Sequence, residues 1–172
     1  MILIHTALLC EAQSFIEYYK LKKINSTPKI YTNDTIVVCI SGVGEENTKK
    51  SLHYIFQNYT IKKAFNIGIA GCNNTNIKIG NIYTINHHLT EKQSLPLSTS
   101  NHIITYSKEL QTTLYDMEGS YFQELCSVYL AEENIYIFKI VSDYLSSQKL
   151  AKDDVKSLIS KQSIIHKFIN LN

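Results

Sequence analysis

Hydrophobic positions along the chain fall into short solid runs and helical stripes, and the two kinds alternate. Residues 1–7 are almost wholly apolar, the pattern of a strand buried on both faces. Cys10-Glu11-Ala12-Gln13 opens a helical stripe through Phe15, Ile16 and Tyr19 that ends among residues 20–23, and Asn25-Ser26-Thr27-Pro28 marks a loop. Residues 29–32 and 35–40 predict two short strands joined at Asn33-Asp34, a hairpin signal. Ser41-Gly42-Val43-Gly44 then leads into an amphipathic helix over 45–59, with Leu52, Ile55 and Phe56 on its buried face. Residues 64–70 form another apolar run that stops at Gly71, 72–76 read as loop, and 77–85 read as a turn into a strand.

The second half is patterned less evenly. Residues 87–100 show little periodicity, Pro96 argues against helix, and 103–106 predict a short strand. At Leu114-Tyr115-Asp116-Met117-Glu118-Gly119-Ser120 an apolar run gives way to a helix, on which Phe122, Leu125, Val128 and Tyr129 share one face. Residues 135–141 are a strongly apolar strand ending at Ser142-Asp143. A final helix is predicted as one span over 149–169, with Asp153 and Asp154 toward its start and Lys161 and Lys167 toward its end, as the helix dipole favours. Strands alternating with helices predict an α/β sheet covered on both faces, in a single domain over 1–172.

Composition narrows the partners. Net charge is +2 and the lysines are scattered in pairs, which argues against a nucleic-acid surface. The apolar start is short and lacks a basic leader, so it is expected to be a first strand of a cytoplasmic protein and not a signal peptide; no run is long enough to span a membrane. Cys10, Cys39, Cys72 and Cys126 make no Cys-x-x-Cys pair and are expected as free thiols. His87 and His88 are adjacent and would point to opposite sides of a strand, so no metal or other cofactor is expected. His5, inside the first strand, is expected to be a satisfied core histidine. All 17 basic residues are lysine, and arginine, the usual bidentate grip on phosphate, is absent.

In open α/β sheets ligands collect at the carboxyl ends of strands. Sorted by that rule, Glu11, Ser41-Gly42, Ala70-Gly71, Met117-Glu118 and Ser142-Asp143 all fall at one edge. Each residue also has a plainer reading from its own position. Asp116 and Glu118 could start a helix, and Glu11 could be a surface acid in a first turn. Asp143 could cap or turn the chain, Met117 could fill the core, and the glycines could make tight turns. Tyr115 and Tyr144 flank the acids and could stack on a base.

Taken in order, Ala7-Leu8-Leu9-Cys10-Glu11, Ser41-Gly42-Val43-Gly44, Asn66-Ile67-Gly68-Ile69-Ala70-Gly71 with Lys78-Ile79-Gly80-Asn81, Asp116-Met117-Glu118-Gly119 and Val141-Ser142-Asp143 resemble the nucleoside phosphorylase/nucleosidase superfamily. The likeness is strongest to its methylthioadenosine/S-adenosylhomocysteine nucleosidases. It implies a three-layer αβα fold around a central mixed β-sheet and a homodimer or larger homo-oligomer acting on a purine nucleoside. It also implies roles: Glu118 holding the ribose hydroxyls, Met117 packing under the sugar, Asp143 oriented by Ser142 and protonating N7 of the leaving base, Glu11 activating water, and Ala70-Gly71 lining the pocket. Ser41 and Gly42 join that set as substrate-binding positions. Such chemistry needs Asp143 protonated and Glu11 ionised in one pocket.

The chain departs from that family in two places. Residues 86–102 are shorter than the family's usual segment, and 106–110 offer no clear aromatic to stack on the base. Lys139 stands where the nucleosidases usually carry arginine. The first reading is thus an N-ribosyl hydrolase of a purine nucleoside or thionucleoside, with methylthioadenosine/S-adenosylhomocysteine or futalosine as substrates. A phosphorylase using phosphate and a non-catalytic nucleoside-binding or assembly protein are the alternatives.

Overall fold

The structure, a computed structural model, describes residues 1–87 and 94–170. The first half runs β1 (Ile2–Thr6), α1 (Leu9–Tyr18), β2 (Lys22–Ser26), β3 (Lys29–Thr32), β4 (Ile36–Ile40), α2 (Glu45–Asn58) and β5 (Lys63–Cys72). The second runs β6 (Ile82–Thr84), β7 (Leu97–Thr99), β8 (Leu114–Asp116), α3 (Gly119–Cys126), β9 (Ile135–Asp143), α4 (Lys152–Ser160) and α5 (Ser163–Asn170). Among the described residues the strands form one mixed sheet. Its centre is parallel: β1 pairs with β4 and β5, and β5 pairs with β9 along most of its length. Beyond the bulge at Gly71, β5 continues by pairing antiparallel with β8.

Alternation along the central strands sends side chains into two layers. Ile4, Val38, Phe65, Ile67 and Ile140 pack against α1, α4 and α5, burying Phe15, Ile159, Ile165 and Ile169. Leu3, Val37, Cys39 and Ile137 face α2 and α3, burying Leu52, Ile55, Phe122 and Leu125. Because both faces are covered, the strands carry no polar face, which is why they read as solid apolar runs. The observed architecture is therefore the expected three-layer αβα arrangement.

Four local expectations fail for identifiable reasons. The first helix ends at Tyr18, Lys20 takes a left-handed φ of 52°, and residues 22–26, expected as helix end and loop, instead form an edge strand on β3. That strand is mostly exposed and polar, so it left no hydrophobic period to read. Residues 103–106 form no strand; Ile103 is 58 % exposed. The added strand is β7, just after Pro96, whose carbonyl accepts from the Leu114 N–H at 2.9 Å while its own missing N–H costs nothing at a strand start.

α3 stops at Cys126, leaving Val128 and Tyr129 exposed; Tyr129 instead stacks on Phe56 at 4.3 Å. The final helix is two helices. Val155 to Ile159 and Ile165 to Ile169 are each one helical step of four, but Ile159 to Ile165 is six. A continuous helix would turn Ile165 away by about 120°, and the break at Gln162 returns it to the core. There the Gln162 side chain donates to the Gly80 carbonyl at 2.9 Å.

Phe122→Ala should therefore cost about 3–5 kcal/mol, and Val128→Ala no more than about 0.5 kcal/mol, read from urea midpoints. Comparable losses would mean that α3 continues and buries both positions.

Candidate functional site

Parallel strands β1, β4, β5 and β9 all end at one edge of the sheet, and the pairing of Gly71 with Tyr115 brings the end of β8 there as well. A cavity of about 490 Å³ opens at this edge. Glu11, Glu118 and Asp143 line it, with Ala70, Gly71, Met117 and Ser142 between them. That volume suits a small organic ligand.

Glu11 is the third residue of α1 and is buried. Its Oε2 accepts from the N–H groups of Leu8 at 2.9 Å and Ala7 at 3.1 Å, so it caps its own helix as its position allowed. Its Oε1 reaches across to accept from the Ile69 N–H at 3.1 Å. Burial raises its pKa, opposed by these N–H groups and by Lys139. The approach to β5 requires Gly68, where a Cβ would stand 2.9 Å from Glu11 Oε1.

Lys139 lies opposite Gly68 on β9 and is fully buried. Its Nζ meets Asp116 Oδ2 at 2.6 Å. Burial pulls its pKa down, but Asp116 and then Glu118 outweigh that and hold it above the ordinary value, so it is charged. Asp116 is further fixed by Thr99 Oγ1 donating to Oδ1 at 2.6 Å and by the Gly119 N–H donating to Oδ2 at 2.7 Å. Glycine is needed at 119 because a Cβ would collide with Leu97 and press on Asp116. Asp116 thus has the helix-starting role open to it from sequence, and Glu118 faces the cavity.

Glu118 Oε1 accepts from the Gly44 N–H at 2.9 Å. Gly44 has φ 91°, a backbone that glycine adopts at no steric cost. Burial pushes the Glu118 pKa from 4.5 up to about 7, against the pull of Lys139 and the Gly44 N–H. Asp143, half-buried at the end of β9, accepts from Ser142 Oγ at 2.7 Å on Oδ2 and from the Ser146 N–H at 2.9 Å on Oδ1. Ser142 Oγ also lies 3.1 Å from the Ala70 carbonyl. One hydroxyl hydrogen serves either acceptor, so Ser142 can donate to an ionised Asp143, or donate to Ala70 while accepting from a protonated one.

Ser41 and Gly42 do not line the cavity; Ser41 Oγ turns to the Gly42 carbonyl at 2.7 Å, and Val43 takes the wall position. Tyr115 lines the cavity with its hydroxyl against Ser107 Oγ, whereas the Tyr144 hydroxyl donates to the Ile77 carbonyl away from it. His102, Ile103 and Ile104 add a wall, the last two from the stretch expected as a short strand. Gly44, with its positive φ, and Gly68, with its close approach to Glu11, are the glycines on which the cavity geometry relies, and φ and close approach appear only in three dimensions.

His5 is buried, with Nδ1 2.9 Å from Asn66 Nδ2, but Nε2 has no hydrogen-bond partner among the described residues, so the expected satisfaction is half met. Burial depresses its pKa to about 3. His87 Nε2 lies 2.6 Å from the Ile135 carbonyl, and His88 is outside the described residues, as is part of the shortened segment 86–102. Among the described residues no group of three His, Cys, Asp or Glu side chains is arranged to hold a metal, and no helix is long and apolar enough to cross a membrane.

Glu118 has a folded pKa above its unfolded value. Its contribution to stability is complete below about 4.5 and is lost as pH rises through about 7. Glu118→Gln removes that loss, which is on the order of 3 kcal/mol. The variant should match the parent Tm at pH 4.5 and exceed it at pH 8 by about 6–12 °C. Calorimetric scans at the two pH values check this; an equal or lower Tm at pH 8 would contradict it.

The sequence matches no family model and no curated protein. Solved structures do match. An MTAN from Chlamydia trachomatis bound to adenine superposes with TM-score 0.76 at 18 % identity, covering 98 % of this chain and 96 % of that one. A 5′-methylthioadenosine/S-adenosylhomocysteine nucleosidase from Helicobacter pylori does so with TM-score 0.76 at 13 % identity, over 98 % and 96 %. A futalosine hydrolase mutant from the same organism gives TM-score 0.76 at 13 % identity, over 98 % of each chain. This chain has the fold of these nucleosidase and futalosine hydrolase structures.

Proposed function

We propose that the protein is an N-ribosyl hydrolase that cleaves the glycosidic bond of a purine nucleoside or thionucleoside. The reading is carried by Glu11, Glu118 and Asp143, which come from α1, the start of α3 and the end of β9 and line a single cavity. Breaking the bond between C1′ and the base nitrogen leaves positive charge on the sugar and negative charge on the base. Asp143 would deliver its proton to N7 of the departing base and then, ionised, accept from Ser142 and the Ser146 N–H. Glu118 would take the sugar hydroxyls as donors; that pairing favours its ionised form and draws its pKa below about 7.

Water would add to C1′ on the face opposite the base, with one of its protons passing to Glu11. The three backbone N–H groups on Glu11 leave part of its acceptor capacity free. Its raised pKa makes it a stronger proton acceptor than an exposed glutamate. Base and free sugar are the products, and no other reactant is needed.

The test is release of free base from methylthioadenosine, S-adenosylhomocysteine, inosine and futalosine without phosphate. Asp143→Asn should lower turnover by about 10²–10⁴-fold with sugar binding largely intact. Full activity in that variant would remove Asp143 as the acid. Release only with phosphate would make the protein a phosphorylase, and binding without release would make it non-catalytic.

A further inference from the structure

Behind the cavity, inside the core, the sheet carries a row of polar side chains. Cys39, His5 and Asn66 are register partners across β4, β1 and β5. Their strand neighbours Ile4, Val38, Phe65 and Ile67 pack on the other side, so by alternation this row faces α2 and α3. Phe122 of α3 lies 5.4 Å from the His5 ring. Thr48 of α2 is buried one turn before Leu52, on the helix face turned to the same layer. His5, Asn66 and Thr48 are each at most 2 % exposed, and none of them lines the cavity.

The row has polar atoms to spare. Asn66 Nδ2 donates to His5 Nδ1 at 2.9 Å, which leaves the hydrogen of a neutral imidazole on Nε2. That N–H, the Asn66 Oδ1 acceptor and the Thr48 hydroxyl have no hydrogen-bond partner among the described residues. Turning the amide over would not help, because it would pair Oδ1 with Nδ1–H and strand Nε2 and the amide hydrogens instead. Buried polar groups that lack a protein partner normally share an internal water. One donor, one acceptor and one hydroxyl able to act as either are the complement of a water molecule. An ion fits worse. The Lys139 ammonium, one row nearer the cavity and opposite Gly68, acts on His5 and would repel a cation, and one N–H with one hydroxyl gives too few donors for a buried anion.

We propose that His5, Asn66 and Thr48 hold an internal water between the sheet and α2. The water accepts from His5 Nε2–H and donates to Asn66 Oδ1, with Thr48 Oγ1 as its third partner. The Lys139–Asp116 pair then has a hydrated layer, and not hydrocarbon, on its core side. The site does not depend on the nucleosidase reading.

The test uses the full chain, without ligand, labelled with ¹⁵N. Long-range proton–nitrogen correlation reads the His5 tautomer, its signal assigned by its loss in His5→Gln. The Nε2–H tautomer is expected, with a dipolar cross-peak from that hydrogen to water. Thr48→Val should weaken the cross-peak and lower Tm by about 2–4 °C, the effect of one lost hydrogen bond in a chain of this size. A dry, unpaired hydroxyl would give the opposite sign, since its removal relieves a stranded polar group. The Nδ1–H tautomer, no cross-peak to water, or a Tm unchanged or raised by Thr48→Val overturns the proposal. So does a fall in Tm with the cross-peak unchanged, which would put the partner of Thr48 elsewhere.

Discussion

Everything at the cavity rests on one buried ion pair, Lys139 with Asp116 at 2.6 Å. An ammonium taken out of water costs several kcal/mol, so Lys139 needs acids on more than one side. Asp116 supplies the direct contact, and Glu118 and Glu11 contribute through their charge. The dependence runs both ways. Lys139 lowers the pKa of Glu118 and Glu11, which burial drives upward. Without it three carboxylates would lie together in a buried site, and at neutral pH some would have to take up protons.

The sheet is what makes that arrangement possible. Lys139 and Gly68 are register partners on β9 and β5, and glycine leaves room for both the lysine and Glu11. A shift of one residue would send Lys139 into the layer of Phe65, Ile140 and Ile159, where no acid waits. Strands buried on both faces normally carry no charge. A lysine in the buried central strand β9 is therefore tolerated because β8 ends beside it with Asp116.

The parts of this that the sequence made legible are those with a strong local signature. Solid apolar runs marked β1, β4, β5 and β9, and their carboxyl ends located Glu11, Ala70-Gly71, Glu118 and Asp143 on one edge. What escaped has weak local signal. β2 is an exposed polar edge, and the break between α4 and α5 shows only in a six-residue step from Ile159 to Ile165. Ser41 and Gly42 sit at the correct strand end, yet the turn carries Val43 and Gly44 inward instead.

The measurement that bears most directly on the account is the fate of isotopic oxygen. The protein is incubated in ¹⁸O-labelled water, without phosphate, with the nucleoside that it turns over fastest, and the released sugar is examined by mass spectrometry before exchange. The account predicts one labelled oxygen on the sugar at C1′ and none on the base. Unlabelled sugar, or a product that appears only as a sugar phosphate once phosphate is added, would contradict water as the nucleophile and Glu11 as the group that activates it.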